Sequence, residues 1–522
     1  MPYIGRGSDF GVRSRFIYTA TAGQTTFSGN DDAGITLAYT DTLYMDVYQN
    51  GVLLVPATDY AASTGTSVVL VQGASVDDTL ELLVHDIFSV ADSVSAKDGG
   101  TFSGTIAAAG YSSSTAGTSN YIAGVNAGNS ITAGGNFNVT VGDEAGTALT
   151  TGDGNVAVGF EALATEDADG SNTAIGYRAL KVLNAGAEGY NVAVGTDAGL
   201  SMTLGIQNTL VGNKAGDALT DADFNVAVGR SSLTSDTLGS KSTAVGHGTL
   251  NTQNFTSATD SFNTAVGYQA GAAVTTGASN TFVGALAGDA NTTGYENTAV
   301  GEGSLSACTE GFENTAIGHN SGAAITTGDN NTFVGNAAGQ ANTTANGNTA
   351  VGNAALASNT TGTNNVAVGR GALDANTTAD NNTAVGYNAL AANTEGFSNT
   401  AFGSRAGDAI TTGDYNTALG NLALSADTTG AGSVAIGHAA LATQNSTDSA
   451  DMYNTAVGRE AGTGITTGVR NSSVGHRTLA STTTGYYNTA IGYQAGDDIT
   501  DGFRNICIGH DADISAGNNQ HT

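Results

Sequence analysis

The sequence predicts an all-β protein in which a small N-terminal antiparallel β-sandwich precedes a long parallel β-solenoid, or β-roll, of 22 coils with a 17-residue period. Three observations lead to this prediction. A short motif that ends in glycine recurs at a nearly constant interval, glycine is abundant while proline is almost absent, and the first 92 residues show strand-like runs separated by turn signals.

The repeat is the strongest of these signals. The string Asn-Thr-Ala-Val-Gly, or a close variant, recurs from Asn138 to Gly509, and 18 of the 21 intervals between its closing glycines equal the 17-residue period. A unit of this length with two glycines and β-branched runs cannot hold a helical hairpin. A short constant period is typical of a solenoid with one coil per unit. At about 4.8 Å per layer, the 22 coils would extend about 100 Å.

Composition narrows the class of protein further. The 522 residues include 75 glycines, 2 prolines and no tryptophan, and 46 acidic against 15 basic side chains leave a net charge of −31. The chain has no every-third-glycine register, which excludes collagen, and its hydrophobic share of 40% argues against disorder. Because a polyanion repels phosphate backbones, we expect no nucleic-acid partner.

The cysteines, the N-terminus and the motif content exclude other classes. Cys308 and Cys507 lack the spacing of a disulfide framework or a zinc site. The sequence has neither a signal-peptide core nor an apolar run near eighteen residues, so we expect no membrane insertion and synthesis in a cytoplasm. No nucleophile elbow, phosphate loop or zinc motif occurs, and the repeat is too regular for a deep cleft. We therefore predict that the protein is not an enzyme and has no cofactor.

Each position of the unit has a physical interpretation. The residues one and three before the closing glycine are mostly β-branched and suit one face of a strand, while asparagine, alanine and glycine share the other face. After the glycine corner we expect a second short extended segment, followed by a turn at a second glycine, such as Gly277, with a positive φ. Proline is rare because every coil must donate backbone N–H groups to its neighbours.

Asparagine opens the strand in 20 of the 22 copies, with Ser242 and Ser433 as substitutes. We interpret the column as a structural ladder in which each side-chain amide bonds the equivalent residue one coil away, rather than as a site for a sugar or an ion. The predicted ladder includes Asn138, Asn155, Asn172, Asn263, Asn314, Asn365, Asn416 and Asn488.

A coil of this length encloses little more than one row of apolar side chains, which is a small core for an isolated rod. Three rods packed about a common axis would bury a second face, so we predict a homotrimer. Residues 172–176 (NTAIG) and 433–437 (SVAIG) resemble the N-S-V-A-I-G strand in the head repeats of trimeric autotransporter adhesins. The resemblance covers the whole repeat region, 138–512, and implies a left-handed trimeric β-roll. The period here is longer than in that family, and we expect no membrane-anchor barrel.

The N-terminal module has different chemistry. Strand-like runs lie at 15–27, 43–47, 52–55, 67–71 and 79–85, and Asn50-Gly51 between two of them is a strong hairpin signal. The segment MPYIGRG, followed by YQNGVLLVPATDY, resembles the virion-attachment domains of marine-phage tail fibres. Residues 97–106, KDGGTFSGTI, resemble a segment that recurs at joints between trimeric domains of phage fibres.

These patterns divide the chain into four segments. Residues 1–92 form the sandwich, which the resemblance assigns to virion attachment, and 93–137 form a Gly/Ser/Ala-rich joint that is either linker or degenerate coils. Residues 138–512 form the solenoid shaft, and 513–522 form a C-terminal tail.

Three coils exceed the 17-residue period and are the candidate sites of surface recognition, since insertions in solenoids map to loops. The loops lie between Lys181 and Tyr190, Asn251 and Phe262, and Ala442 and Tyr453; a tolerated structural bulge is the alternative interpretation. Aromatic residues just before the strand would either contact sugar rings or pack between turns. They are Phe224, Tyr295, Phe312, Phe397, Tyr415, Tyr487 and Phe503.

Two acidic clusters carry the oxygen ligands that calcium prefers. Because the glycine-rich calcium-binding nonapeptide is absent, we interpret them as solvated surface acids and predict no metal site. The clusters are Glu166/Asp167/Asp169 and Asp217/Asp221/Asp223.

The leading hypothesis is a homotrimeric phage tail fibre, a structural protein of the virion made in the host cytoplasm. Residues 1–92 would bind the phage tail, its baseplate or an adaptor protein, and the solenoid would project toward a host-surface receptor, with polysaccharide as one receptor class. A bacterial trimeric surface adhesin is the first alternative. An ice-binding solenoid is the second, and it requires a flat row of threonines, of which each Thr-Thr pair can expose only one.

Overall fold

In a computed structural model, residues 13–39, 41–85, 117–446, 448 and 451–514 are described. The chain forms two compact units, Met1–Gly104 and Thr105–Thr522. The all-β prediction is confirmed: besides the 3-10 helix Thr42–Tyr44, the regular elements of the described ranges are β-strands. Among these residues no helix combines the length and apolar character needed to cross a bilayer. The MPYIGRG and KDGGTFSGTI segments lie outside the described residues.

The first unit is an antiparallel sandwich, as predicted. Its strands are β1 (Arg13–Thr19), β2 (Gln24–Ser28), β3 (Met45–Gln49), β4 (Val52–Leu53), β5 (Tyr60–Ala61), β6 (Ser67–Ala74) and β7 (Thr79–His85). They form two sheets with the strand orders β1-β7-β3-β4 and β2-β6-β5. Phe16 and Leu82 from the first sheet and Phe27 and Val68 from the second belong to one buried core.

Two local predictions in this unit can be compared with the structure. The run 15–27 is two strands rather than one, because a turn at 20–23 separates β1 from β2. The hairpin at Asn50-Gly51 is confirmed: Gln49 pairs with Val52, and both turn residues have positive φ, 52° and 79°. This conformation matches the two-residue turn that follows strand twist.

The second unit is the parallel solenoid. Its ladder contains 23 three-residue strands, and each pairs in parallel with the next ladder strand. In chain order they are β8 (Tyr121–Ala123), β9 (Val139–Val141), β10 (Val156–Val158), β11 (Thr173–Ile175), β12 (Val192–Val194), β13 (Thr209–Val211), β14 (Val226–Val228), β16 (Thr243–Val245), β18 (Thr264–Val266), β19 (Thr281–Val283), β20 (Thr298–Val300), β21 (Thr315–Ile317), β22 (Thr332–Val334), β23 (Thr349–Val351), β24 (Val366–Val368), β25 (Thr383–Val385), β26 (Thr400–Phe402), β27 (Thr417–Leu419), β28 (Val434–Ile436), β29 (Thr455–Val457), β30 (Ser472–Val474), β31 (Thr489–Ile491) and β32 (Ile506–Ile508). Two further strands, β15 (Gly239–Ser240) and β17 (Thr259–Asp260), pair with each other.

The 17-residue period is therefore confirmed, with 23 coils in place of the 22 predicted. The additional coil begins before β8 and precedes the first recognisable repeat. It occupies the end of the predicted joint, so residues 117–137 are a degenerate coil and not a linker.

We number the positions of a coil from its opening asparagine, so that Asn263 is position 1 and Ser279 is position 17. Positions 1, 3 and 8 face the interior, as Asn263, Ala265 and Ala270 show. Positions 2 and 4 carry the β-branched residues and point outward. A buried row of alanines and single larger side chains forms the core along the solenoid.

The predicted second extended segment is wrong. After Gly267 the coil is a series of turns in which Gln269 (φ 53°) and Gly271 (φ 60°) adopt the left-handed conformation. Alternation of left-handed residues folds the chain back on itself within one layer, which an extended segment cannot do.

The two glycines of the unit have different roles. Position 5 requires a positive φ and small size: Gly335 has φ 141°, and a Cβ there would lie 2.4 Å from the carbonyl oxygen of Gly352 in the next coil. The predicted positive φ at position 15 is wrong, because Gly277 lies outside the left-handed region. Its requirement is close approach, since a Cβ at Gly277 would lie 2.4 Å from the carbonyl oxygen of Gly294.

Candidate functional site

The opening asparagines are buried and bonded within the solenoid. The Oδ1 of Asn365 accepts the backbone N–H of Asn382, one coil later, at 2.9 Å, and its Nδ2 donates to the carbonyl of Ala379 at 2.8 Å. The backbone N–H of Asn365 in turn donates to Oδ1 of Asn348 at 2.9 Å. All eight asparagines named for the ladder are at most 1% exposed. These amides connect neighbouring coils and do not offer a surface for a dissolved sugar.

A second buried network occurs where serine replaces the ladder asparagine. Gln253 Nε2 donates to Ser242 Oγ at 2.8 Å and to Asp236 Oδ2 at 2.6 Å. Asp236 Oδ1 accepts the backbone N–H groups of Gly239 (3.0 Å) and Phe255 (3.1 Å). The carboxylate is thus buried with a donor for each oxygen, which is the condition for burying a charge at tolerable cost.

The same network recurs later in the solenoid. Gln444 Nε2 donates to Ser433 Oγ at 2.9 Å and to Asp427, whose Oδ1 accepts the N–H of Gly430 at 2.9 Å. The three partners keep one constant offset from their counterparts, at 236 and 427, 242 and 433, and 253 and 444. Sequence reasoning missed this network because its aspartate and glutamine lie in successive coils and meet only when the coils stack. The constant offset between the two sets was the available signal.

The six residues named for surface recognition do not form one patch. Lys181, Asn251 and Ala442 all stand at position 10 of their coils and are partly buried. The residues at the other ends of the loops are exposed and stand at the last position of their coils: Tyr190 (57%), Phe262 (54%) and Tyr453 (49%). At about 4.8 Å per coil, the three loops are separated by roughly 19 and 53 Å along the ladder. Residues 447, 449 and 450 of the third loop lie outside the described ones.

The exposed rings of the two longest loops have charged neighbours. Lys241 Nζ lies 5.2 Å from the ring centroid of Phe262 and 2.6 Å from Asp260 Oδ2. The Arg470 guanidinium lies 5.7 Å from the ring centroid of Tyr453. Lys181 is instead bound to Glu161, at 2.7 Å. The exposed rings therefore lie beside charged groups that take part in cation–π contacts and ion pairs.

The aromatic residues named from the sequence lie at the coil corner that precedes the strand. Phe224, Tyr295 and Tyr415 are 45%, 42% and 62% exposed, and the rings of Tyr295 and Phe312 stack at 4.9 Å. Phe397 packs edge-on to Tyr415 at 5.0 Å. Tyr487 and Phe503 lie in the same corner region, where the rings of Phe503 and Tyr486 stack at 5.0 Å.

A second aromatic column, at position 6, was missed. Phe160 stacks on Tyr177 at 5.5 Å, and Tyr493 stacks on both His476 (5.3 Å) and His510 (4.9 Å). The signal was present, because aromatic residues and histidines recur directly after the closing glycine.

The outward face of the ladder carries no charge. None of the residues at positions 2 and 4 of the 23 ladder strands is acidic or basic, and position 4 is apolar throughout. Several of these side chains are substantially exposed, including Ile175 (38%), Phe402 (53%) and Ile508 (65%). We call these two columns the sheet face.

The acidic clusters differ in geometry. One carboxylate oxygen from each of Glu166, Asp167 and Asp169 lies within 4.8 Å of the others, and Glu166 is fully buried. The interpretation of solvated acids is therefore wrong for Glu166, and burial raises its pKa to about 7. In the other cluster, Asp223 Oδ1 accepts the N–H of Ile206 at 2.8 Å and Asp217 accepts the hydroxyl of Thr234.

Comparison of the chain with known protein families, curated proteins and solved structures finds no match. A function for this chain must therefore be inferred from the features of its own surface. This surface offers an uncharged sheet face, exposed aromatic corners beside charged groups, and one acidic cluster in which Glu166 is buried.

Proposed function

We propose that the protein is a structural phage tail fibre. Residues 1–92 would attach it to the tail, the baseplate or an adaptor protein, and the solenoid would serve as a homotrimeric shaft that contacts the host surface. The observation that supports this proposal best is the sheet face, which is uncharged along all 23 ladder strands.

The charge distribution favours copies of this chain as the occupant of the sheet face. Each copy carries a net charge of −31, so copies repel one another over most of their surface. The sheet face is the region where that repulsion is locally absent and where half-exposed valine, isoleucine and threonine side chains could be buried.

The dimensions of the face are sufficient for a stable interface. A ladder of 23 strands at about 4.8 Å spacing is about 105 Å long, and a three-residue strand is about 10 Å wide. The face therefore offers about 1,000 Å² per chain, against about 800 Å² per partner in a stable complex of standard size. Burial of this face would also add the second core that a thin coil lacks.

Contact with the host would use the exposed aromatic corners. Tyr190, Phe262 and Tyr453 occupy the same coil position in the three lengthened coils and project from the shaft. Repetition along the rod suits a receptor that is itself repetitive, such as a surface polysaccharide, because several weak contacts then act together.

The attachment test is immunogold labelling of virions from the phage that carries the coding sequence, with an antibody raised against residues 1–92. The proposal predicts label at the tail. Label confined to a bacterial surface would instead support the adhesin alternative, and virions without tail label would reject the fibre assignment.

An ice-binding rod is the second candidate because the second threonine of several pairs is exposed, as at Thr276, Thr327 and Thr344. The first threonine is not available, since its hydroxyl donates to the next coil; Thr275 Oγ1, for example, bonds the carbonyl of Thr292 at 3.0 Å. Glu310 and Glu395 interrupt the exposed row. We therefore expect no thermal hysteresis in a solution of the purified chain, and measurable hysteresis would favour this candidate over the fibre.

A further inference from the structure

The coil that begins at Asn155 differs from the repeat at three positions that lie close together. Positions 12, 13 and 15 hold Glu166, Asp167 and Asp169, where the fullest form of the repeat has an aliphatic residue, threonine and glycine. One oxygen of each carboxylate lies within 4.8 Å of the other two. Three acids thus replace two apolar or small residues and a threonine at one corner of one coil.

The side chain of Glu166 is buried without adequate partners. It is 0% exposed, its Oε2 accepts a long bond from the N–H of Ala185, at 3.4 Å, and its buried Oε1 has no hydrogen-bond partner. The backbone N–H groups of Asp167 and Asp169 also favour its charged form, but they do not offset the effect of burial. The ammonium group of Lys181, in the next coil, is bound to Glu161 at 2.7 Å. A buried carboxylate oxygen without a donor is costly, and a bound cation is one of the species that can satisfy it.

Two other coils of the chain have a buried carboxylate at the position of Glu166 and can be compared with this site. Asp236 and Asp427 occupy the same position before the other two lengthened coils, and each receives a glutamine amide and backbone N–H groups. At the first lengthened coil, Leu183 stands where the others have Gln253 and Gln444. Glu166 therefore lacks the donor that its counterparts have, while Asp167 and Asp169 add two further carboxylates beside it.

We propose that Glu166, Asp167 and Asp169 bind a calcium ion, which takes the place of the missing donor. Calcium–oxygen bonds of about 2.4 Å reach oxygens up to about 4.8 Å apart, so one oxygen of each carboxylate can bind the same ion. Calcium also accepts irregular sets of oxygen ligands that waters and carbonyls complete. This site is independent of the fibre assignment.

The test is isothermal titration calorimetry of the EDTA-treated full chain with calcium chloride at low ionic strength. We expect one site per chain with a Kd of about 0.1–1 mM, the range of weak calcium modules. Glu166→Gln and Asp169→Asn should each weaken binding at least tenfold. Leu183→Gln should weaken it as well, because the new amide can bond the Glu166 carboxylate as in the other two coils.

The matched control is Asp498→Asn. It removes one charge from the more exposed triad of Asp497, Asp498 and Asp513, whose carboxylate oxygens also lie within 4.8 Å of one another but which has no fully buried member. Binding within twofold of the unmodified chain is expected. Asp169 is partly exposed, so its variant remains informative if Glu166→Gln does not fold. Undetectable calcium binding at ~5 mM, well above the range for weak modules, or unchanged affinity in both Glu166→Gln and Asp169→Asn, would overturn the proposal.

Discussion

The interior of a coil has room for one large apolar side chain, and that side chain comes from position 3, position 9 or position 12. In the coils between residues 263 and 504, leucine at position 9 accompanies a polar or small residue at position 12, as with Leu356 and Asn359. Glycine at position 9 accompanies a larger aliphatic residue at position 12, as with Gly407 and Ile410. Where position 3 is phenylalanine, position 9 is glycine and position 12 is asparagine. The volume of the coil is therefore conserved while its source changes.

This complementarity predicts that one coil can be converted into the pattern of the next. A Cβ at Gly339 would lie 2.5 Å from the Phe333 ring, so Gly339→Leu alone should be strongly destabilising. Phe333→Ala alone should cost about 3–5 kcal/mol because it leaves a cavity. The double variant reproduces the coil that contains Ala350 and Leu356, and should recover most of the loss. Thermal unfolding of the three variants checks this, and a double variant no better than the worse single one would contradict it.

The asparagine ladder predicts a second residue-level effect. Asn365→Ala removes two buried hydrogen bonds: it leaves the N–H of Asn382 without a partner, and the carbonyl of Ala379 keeps only the bond from Asn376 Nδ2 at 3.1 Å. The expected cost is about 2–4 kcal/mol. Asn353 belongs to an exposed column and bonds Asn336 at 3.1 Å, so Asn353→Ala is the matched control, with a cost below about 1 kcal/mol. Hydrogen exchange of the Asn382 amide measures the difference, and equal protection in both variants would count against the ladder as a stabilising element.

At the scale of the element, two of the lengthened coils pair inserted residues with the preceding coil. The insertion before Asn263 contributes β17, which pairs with β15 of the preceding coil, and an equivalent bridge joins Ala431 and Asp451. Beneath each of these two insertions lies the buried aspartate–glutamine–serine network. Extra length is therefore accommodated by extra pairing between coils, together with a polar core in place of an apolar one.

We expect a coil at the end of the ladder to unfold locally more readily than a coil in its middle. Cys308 is fully buried in the middle of the ladder, and burial raises its thiol pKa to about 11. Cys507 lies in β32, the last ladder strand, and burial raises its pKa as well. Because end coils of a solenoid have fewer neighbouring contacts, they open more readily. Single-cysteine variants, Cys308→Ser and Cys507→Ser, should show at least tenfold faster iodoacetamide labelling at Cys507, whereas similar rates would contradict this order.

The sequence was sufficient for the elements whose signals are local. The 17-residue period, the sandwich and the hairpin at Asn50-Gly51 follow from spacing, alternation and turn chemistry, and the structure has them. The features that were missed arise between coils. The turn conformation of Gln269 and the partners of Asp236 depend on how one layer lies on the next, which no window of a single coil contains. Burial of Glu166 was missed for the same reason.

At the scale of the whole molecule, the proposed self-association depends on the sheet face. Val334→Glu combined with Val351→Glu places charges on it without changing the coil interior, since both side chains point outward. Burying several unpaired carboxylates at an interface costs several kcal/mol, so the assembly should dissociate at a protein concentration at least tenfold higher than the unmodified one. Asn336→Glu combined with Asn353→Glu adds the same charge two positions away, and its dissociation in sedimentation velocity should be nearly unchanged. Equal effects of the two pairs would place the interface elsewhere.

The most direct test of self-association through this face is the molar mass of the purified full chain by size-exclusion chromatography with light scattering. One chain has a mass of 51.6 kDa, so a homotrimer has a mass of about 155 kDa. We expect a single species near the trimer mass at micromolar concentration. A stable species at 51.6 kDa would contradict the homotrimeric shaft and leave the uncharged sheet face without its proposed partner.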